Sequence, residues 1–254
     1  MRLLPIFALP LLAMPAAAAE PLRATYELSW NGLEVAVAQS ELSRQETGYR
    51  LVWRGETSGF LGLVYPFASE AISEGVRTPD GLAPVLHAGQ SQRRDEATAW
   101  TVGFDAAGKA VRVDIPLEDR AEREPVPAEL QVGPDPLSLA LLALDRVGPG
   151  VRQAGTAFDG RRVVRLAAIC ADAPEPLDEV GQALLCTVEG ELVAGASRRW
   201  RDREQPREER PPTRVWLIRG GIAEGWWPVR IEAATRWGVV TARLVPPVAA
   251  SPAG

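Results

Sequence analysis

The chain has 254 residues, 33 acidic against 28 basic, and a net charge of −5, a balance that excludes the basic face a nucleic-acid partner requires. A single histidine, His87, rules out His-x-x-x-His zinc sites and paired imidazoles, and two cysteines with one distant histidine do not make a tetrahedral metal site. After residue 19, no apolar run reaches the roughly 18–20 residues that a helix needs to span a bilayer.

The opening residues carry an address. Arg2 supplies a positive start, Leu3 to Met14 form an apolar stretch interrupted by Pro5 and Pro10, and Pro15-Ala16-Ala17-Ala18-Ala19 offers the small residues a signal peptidase reads. The pattern predicts a cleavable signal peptide over 1–19, a mature chain beginning near Glu20 and a periplasmic, oxidising location. Cysteine is absent around the cleavage site, so no lipid is attached there.

From residue 20 the dominant local signal is alternation. The apolar members of Leu22-Arg23-Ala24-Thr25-Tyr26-Glu27-Leu28-Ser29-Trp30 fall on one face of a strand. Asn31-Gly32 suits a type I′ hairpin turn, because both residues tolerate positive φ, and Leu33 to Leu42 returns antiparallel. Tyr49, Leu51 and Trp53 alternate with Arg50 and Arg54 as a third strand.

Ser58-Gly59-Phe60-Leu61-Gly62-Leu63-Val64-Tyr65-Pro66-Phe67 is apolar, aromatic and too irregular for a clean strand. One reading makes it a short helix or loop that closes a barrel and belongs to its core. The other makes it a mouth that touches a lipid or acyl chain. His87, within Val85-Leu86-His87-Ala88, reads as a structural or surface histidine on a strand. A serine triad through His87 lacks a Gly-x-Ser-x-Gly elbow, and Gly59 to Gly62 lacks the following Lys of a phosphate-binding loop.

Trp100, Val102 and Phe104 alternate, Asp105 to Gly108 turns, and Val111, Val113 and Ile115 alternate back, forming the clearest hairpin in the chain. Residues 117–134 are acidic and proline-punctuated, and read as a connection. Glu118 and Asp119 are best explained as solvated surface, although a carboxylate pair is what glycoside hydrolysis uses. The run Asp135-Pro136-Leu137-Ser138 to Leu144 is rich in helix formers. Asp135 suits the N-cap, Pro136 the first helical position and Gly148-Pro149-Gly150 the stop, which predicts a buried helix over about 135–147.

Asp159-Gly160 turns into a strand over Arg161–Ile169. Cys170 and Cys186, in an oxidising compartment, are most simply a disulfide, with two free thiols as the alternative. The mixed-charge stretch from Arg198 to Pro212 reads as a solvated loop. Trp226-Trp227 on a loop either anchors a ligand or caps the core. Val229, Ile231 and Ala233 alternate, Trp237-Gly238 turns, and Val239–Val245 closes the domain before an Ala/Pro-rich tail, 246–254, that is expected to be disordered.

The order of certain landmarks carries a resemblance. Tyr26 and Asn31-Gly32-Leu33 come first, then Gly81-Leu82-Ala83-Pro84, the helix start Asp135–Ser138, Asp159-Gly160-Arg161-Arg162, Val215-Trp216-Leu217 and Pro228-Val229-Arg230-Ile231. Together they resemble the domain-of-unknown-function family 3108 of exported proteobacterial proteins, over about residues 22–245. The resemblance implies a periplasmic, β-rich fold similar to the curved half-barrels of lipoprotein carriers, and it transfers no catalytic residue.

The expected architecture is a single domain, 20–245, of ten to twelve strands. A single curved antiparallel sheet forms an open barrel or β-spiral around one buried helix. The expected role is non-enzymatic, without cofactor or metal. The protein holds a lipid or acyl chain in its concave face, with Phe60, Leu61, Leu63, Tyr65, Phe67, Trp226 and Trp227 as candidate contacts. The alternatives are an envelope scaffold that binds a protein partner and no small ligand, and a hydrolase of unknown substrate.

Overall fold

The computed structural model describes residues 20–79, 81–177, 180–198, 211–220 and 225–246. The expected signal peptide, most of the mixed-charge stretch and the tail beyond Pro246 lie outside the described residues.

The alternating segments become β1 (Leu22–Trp30), β2 (Leu33–Arg44), β3 (Gly48–Thr57), β4 (Phe67–Thr78), β5 (Gly81–Arg93), β6 (Glu96–Phe104) and β7 (Ala110–Asp114). After the helical middle of the chain come β8 (Arg152–Phe158), β9 (Val163–Cys170), β10 (Glu175–Leu177), β11 (Gly181–Ala194), β12 (Thr213–Arg219), β13 (Trp226–Thr235) and β14 (Gly238–Val245). All join one antiparallel sheet in the order β7-β6-β5-β4-β3-β2-β1-β14-β13-β12-β11-β9-β8, with β10 paired to β11. Asn31 and Gly32 both take positive φ, 49° and 85°, as a type I′ turn requires.

The two ends of the domain meet in the middle of the sheet, where Thr25 of β1 stands opposite Val245 of β14. The edges, β7 and β8, therefore come from the centre of the sequence. Hydrogen bonds do not close the sheet, but side chains do. Val102 and Phe104 on β6 and Val113 on β7 pack against Phe158 on β8 and Val163 on β9. This contact curls the sheet until its edges touch.

The connection from β7 runs along that seam through α2 (Leu117–Glu122), a single 3-10 turn (Ala128–Leu130) and then α3 (Pro136–Arg146). It supplies the edge strand with partners. The Ala110 amide donates to the carbonyl of Gln131 at 2.9 Å, the Gly133 amide to Gly108 at 2.7 Å and the Phe158 amide to Pro134 at 3.0 Å. An edge covered in this way offers little to another chain's strand. Arg161 pins the seam further: its Nε lies 2.7 Å from Asp119 and its guanidinium 4.6 Å above the Trp100 ring. Burial pulls that guanidinium below its usual range, and Asp119 and Asp159 oppose the shift.

Helix α3 plugs one end of the curled sheet. Asp135 caps it, accepting from the amides of Leu137 at 3.0 Å and Ser138 at 3.2 Å. Ser138 and Leu141 are buried three residues apart, the spacing of a helix that turns one stripe inward. Leu141 joins Ala24, Tyr26, Leu42, Tyr49 and Trp227 in one cluster. Leu144 and Val147 reach a second, built on Leu184, Leu217 and the Cys170–Cys186 pair. The two cysteines stand directly opposite each other on β9 and β11 and form a disulfide.

Two tyrosines in this packed end make stability pH-dependent. Burial raises the Tyr26 phenol above its ordinary value of 10, and the Tyr49 phenol as well, the latter against opposing hydrogen bonds from Ser138 and Ser73. The folded state thus keeps protons that the unfolded chain releases. Stability is expected to be fully present below about pH 10 and to fall as the pH rises beyond it toward the folded values. Urea midpoints at about pH 8 and about pH 11 would show the decline, and Tyr26→Phe with Tyr49→Phe should flatten it. A decline that is equally steep in the double variant would assign it to other groups.

Candidate functional site

Because neighbouring strands are in register, the inward face of the sheet can be followed row by row. Nearest α3, one row runs Leu22–Leu42–Leu51–Ser73–His87–Val102–Val113. The next runs Ala24–Ser40–Trp53–Ala71–Gly89–Trp100. A third row leads away from the plug: Cys170, Cys186, Val215, Ile231, Ala242, Leu28 and Ala36 stand side by side across seven strands, with the cysteines against the plug.

In the first row lies a buried polar cluster. Asp135 is fully buried and accepts a hydrogen bond from Ser73 Oγ at 2.8 Å and another from Ser138 Oγ. Ser73 and Ser138 are 2.7 Å apart, and Tyr49 OH lies 2.6 Å from Ser138 Oγ. His87 is buried too, with Nδ1 3.4 Å from Asp135 Oδ1. The residue types are those of a hydrolytic triad, but the carboxylate stands in the middle and each serine hydroxyl points at it. A working triad needs the serine on the histidine and open to substrate. What this cluster does is tie the N-terminus of α3 to β3, β4 and β5. Of the two acids weighed at 118 and 119, Glu118 is exposed and Asp119 is held by Arg161.

Beyond the plug the inward face changes character. Leu28, Ala36, Trp53, Ala71, Trp100, Ile231, Val240 and Ala242 face inward yet are only part-buried. The two tryptophan rings lie flat on the sheet. A side-chain carbon at Gly89 would meet the Trp100 ring at 2.3 Å and the Glu70 carbonyl at 2.6 Å, so only glycine lets the ring lie there. Trp53 covers Gly55 in the same way, at 2.6 Å. Small residues and flattened aromatics leave this half of the inward face only partly covered. On the opposite face, the row Gln39–Arg54–Glu70–Gln90–Ala99 walls a groove of about 420 Å³, crossed by the Arg54–Glu70 ion pair at 2.5 Å.

The far end of the barrel is a rim of turns. The segment between β3 and β4 is a six-residue helix, α1 (Gly59–Val64), without a buried residue. Phe60 is 71% and Leu63 83% exposed, Tyr65 and Phe67 are also exposed, and Leu61 is part-buried. The core reading of this segment therefore does not hold. The helix spans less than two turns and sits on the strand ends, where one side meets β2 and the rest faces solvent.

Trp226 and Trp227 lie elsewhere. They begin β13 at the plugged end. Trp227 is buried beside Tyr26 and Leu141, and Trp226 packs near Leu144. They do not share a site with residues 60–67.

The rim instead gathers residues that the sequence did not single out. The Ser58 amide donates to Val35 at 2.9 Å, which sets α1 beside the β1–β2 turn. That turn is bonded in its own right to the β13–β14 turn, through Trp30 Nε1 and Asn31 Nδ2 to the carbonyl of Trp237, both at 3.2 Å. Trp30, Leu33, Trp237 and Val239, all exposed, thus extend the apolar surface of α1. The signal available in the sequence was large apolar residues flanking two tight turns, where polar residues are usual.

The family model for the protein of unknown function DUF3108 matches residues 25–245. Among curated proteins, none matches. The chain is similar to a crystal structure described as a beta-barrel-like protein of the domain of unknown function DUF1849 from Brucella abortus. The identity is 14%, the TM-score 0.54, and the match covers 90% of this chain and 97% of that one. At this identity the likeness shows the fold alone.

Proposed function

The chain belongs to the DUF3108 family, and on that premise we propose that it is an exported cell-envelope protein that holds a lipid or acyl chain in the hollow of its curled sheet, without catalysing a reaction on it. One observation carries this reading. Inward-facing apolar residues beyond the plug, Ala36, Ala71, Trp100 and Val240 among them, stay part-exposed, beside Leu28, Trp53 and Ala242, which pack onto the filled core. Interiors ordinarily pack to high density, so a lined but unfilled half calls for an occupant. The signal-like sequence at 1–19 and the disulfide support the periplasmic location.

Native mass spectrometry of protein exported to a bacterial periplasm tests the reading. The expected result is a discrete adduct that survives gentle desalting, with a mass identifying its class. Ala36→Phe with Ala242→Phe, on either side of Leu28, should fill the hollow and remove the adduct while the thermal midpoint stays within a few degrees of wild type. A bare polypeptide mass for wild type would favour an envelope scaffold without a small ligand. An adduct that persists in the filled variant would place the ligand elsewhere, and either result would sink the proposal.

A further inference from the structure

We infer that the rim of turns at the open end of the barrel docks this protein onto the interfacial layer of a lipid bilayer. The inference rests on the apolar-ligand reading in one respect: the rim surrounds the mouth through which a lipid would pass. Three further observations carry it.

The first is continuity. Segments distant in the sequence present apolar side chains at one end of the barrel: Trp237 from the β13–β14 turn, Trp30 and Leu33 from the β1–β2 turn, and Phe60 and Leu63 from α1. The arc continues to the β5–β6 turn, where the Arg94 amide donates to the Pro66 carbonyl at 3.3 Å and its guanidinium to the Val64 carbonyl at 3.4 Å. Soluble monomers rarely leave a contiguous apolar surface of this kind uncovered.

The second is residue type. Trp and Tyr, with an apolar ring and a polar edge, prefer the boundary between headgroups and acyl chains. The rim carries Trp30, Trp237 and Tyr65, each more than 40% exposed.

The third is charge. The chain is acidic overall, yet Arg236 stacks 3.9 Å above the Trp237 ring and Arg94 stands beside Val64. Neither has a carboxylate partner among the described residues. Of the acids on this arc, Glu96 is held by Arg93 at 2.6 Å, while Glu34, which accepts from Ser58 at 2.9 Å, and Asp95 keep their charges and balance those two guanidinium groups overall. Guanidinium groups without a carboxylate partner, set among aromatics, can donate charge-assisted hydrogen bonds to lipid phosphates. No helix among the described residues is long and apolar enough to cross a membrane, so the attachment is one of turns lying in the interface.

Sedimentation of the periplasmically expressed protein with vesicles of phosphatidylethanolamine and phosphatidylglycerol tests the inference. Wild type should pellet with the vesicles. Phe60→Ser with Leu63→Ser should lower the partition coefficient by about tenfold or more, given the apolar area removed. Arg94→Gln with Arg236→Gln should lower it severalfold on anionic vesicles and make it less sensitive to salt. All four side chains are exposed, so circular dichroism and the thermal midpoint should match wild type.

Wild type that stays in the supernatant would overturn the inference, as would an apolar variant that pellets equally well. A concentration-dependent dimer in sedimentation velocity that the apolar variant abolishes would assign the rim to a second copy and overturn it too. The two proposals fail separately. Loss of vesicle binding leaves the wild-type mass adduct untouched, and the filled-hollow variant should still bind vesicles.

Discussion

Replacing Asp135 with alanine is expected to destabilise the protein by roughly 3–5 kcal/mol, read as a lower urea midpoint at unchanged slope. The carboxylate serves two structures together. It caps α3 through the amides of Leu137 and Ser138, a role worth about 1 kcal/mol by itself. It also accepts from the hydroxyls of Ser73 and Ser138, which are as buried as the carboxylate and have no water to turn to. Leaving a buried donor unmade costs about 1–3 kcal/mol, and re-pairing of the two serines with each other and with Tyr49 recovers part of it. Asp135→Asn keeps the capping oxygen and only turns an amide toward hydroxyls that can rotate to accept, so its loss should be smaller, about 1–2 kcal/mol. An alanine variant within about 1 kcal/mol of wild type would mean that α3 is held by its leucines alone.

Removing the Cys170–Cys186 bridge is the second large effect. The bond closes a loop with a sequence separation of 16, around the β10–β11 hairpin. A loop of that size stabilises by about 3 kcal/mol in the chain-entropy model, which corresponds to about 6–12 °C in thermal midpoint for a domain of this size. Cys170→Ala with Cys186→Ala isolates this contribution. The serine pair should lose more, because its hydroxyls would face Leu184, Leu217 and Leu144 in an apolar cluster. Wild type heated with a thiol reductant should melt with the alanine variant. Equal midpoints with and without reductant would show that the bridge adds nothing to the fold.

Much of this architecture was legible in the chain. Leu22 to Trp30 and Trp100 to Ile115 announce their strands because a half-buried strand must alternate, and Asn31-Gly32 announces its turn because φ is positive at both residues. Asp135-Pro136 marks the helix start for equally local reasons, since an acceptor and a residue without an amide hydrogen both suit that end. The disulfide was legible from the number of cysteines and the expected compartment. Each of these inferences needs at most a few neighbouring residues, which is why sequence alone sufficed.

What the sequence could not determine is which side of each strand faces inward and which strands become neighbours. Period-two alternation groups Phe60 to Phe67 and Trp226-Trp227 as equally apolar. The barrel sends Trp227 into the core and leaves Phe60 and Leu63 in solvent, because β13 starts beside the plug and α1 sits on the open rim. The buried meeting of Ser73, His87, Asp135 and Ser138 exists only once α3 has entered the curled sheet. The rim exists only because β1 pairs with β14, which brings Asn31 within 3.2 Å of Trp237 across 206 residues of sequence. Local sterics and hydrogen bonding make strands, turns and caps. The choice of neighbours belongs to the burial of the whole chain at once, and it was the tertiary structure that decided the core, the partly covered inward face and the apolar surface left open at the rim.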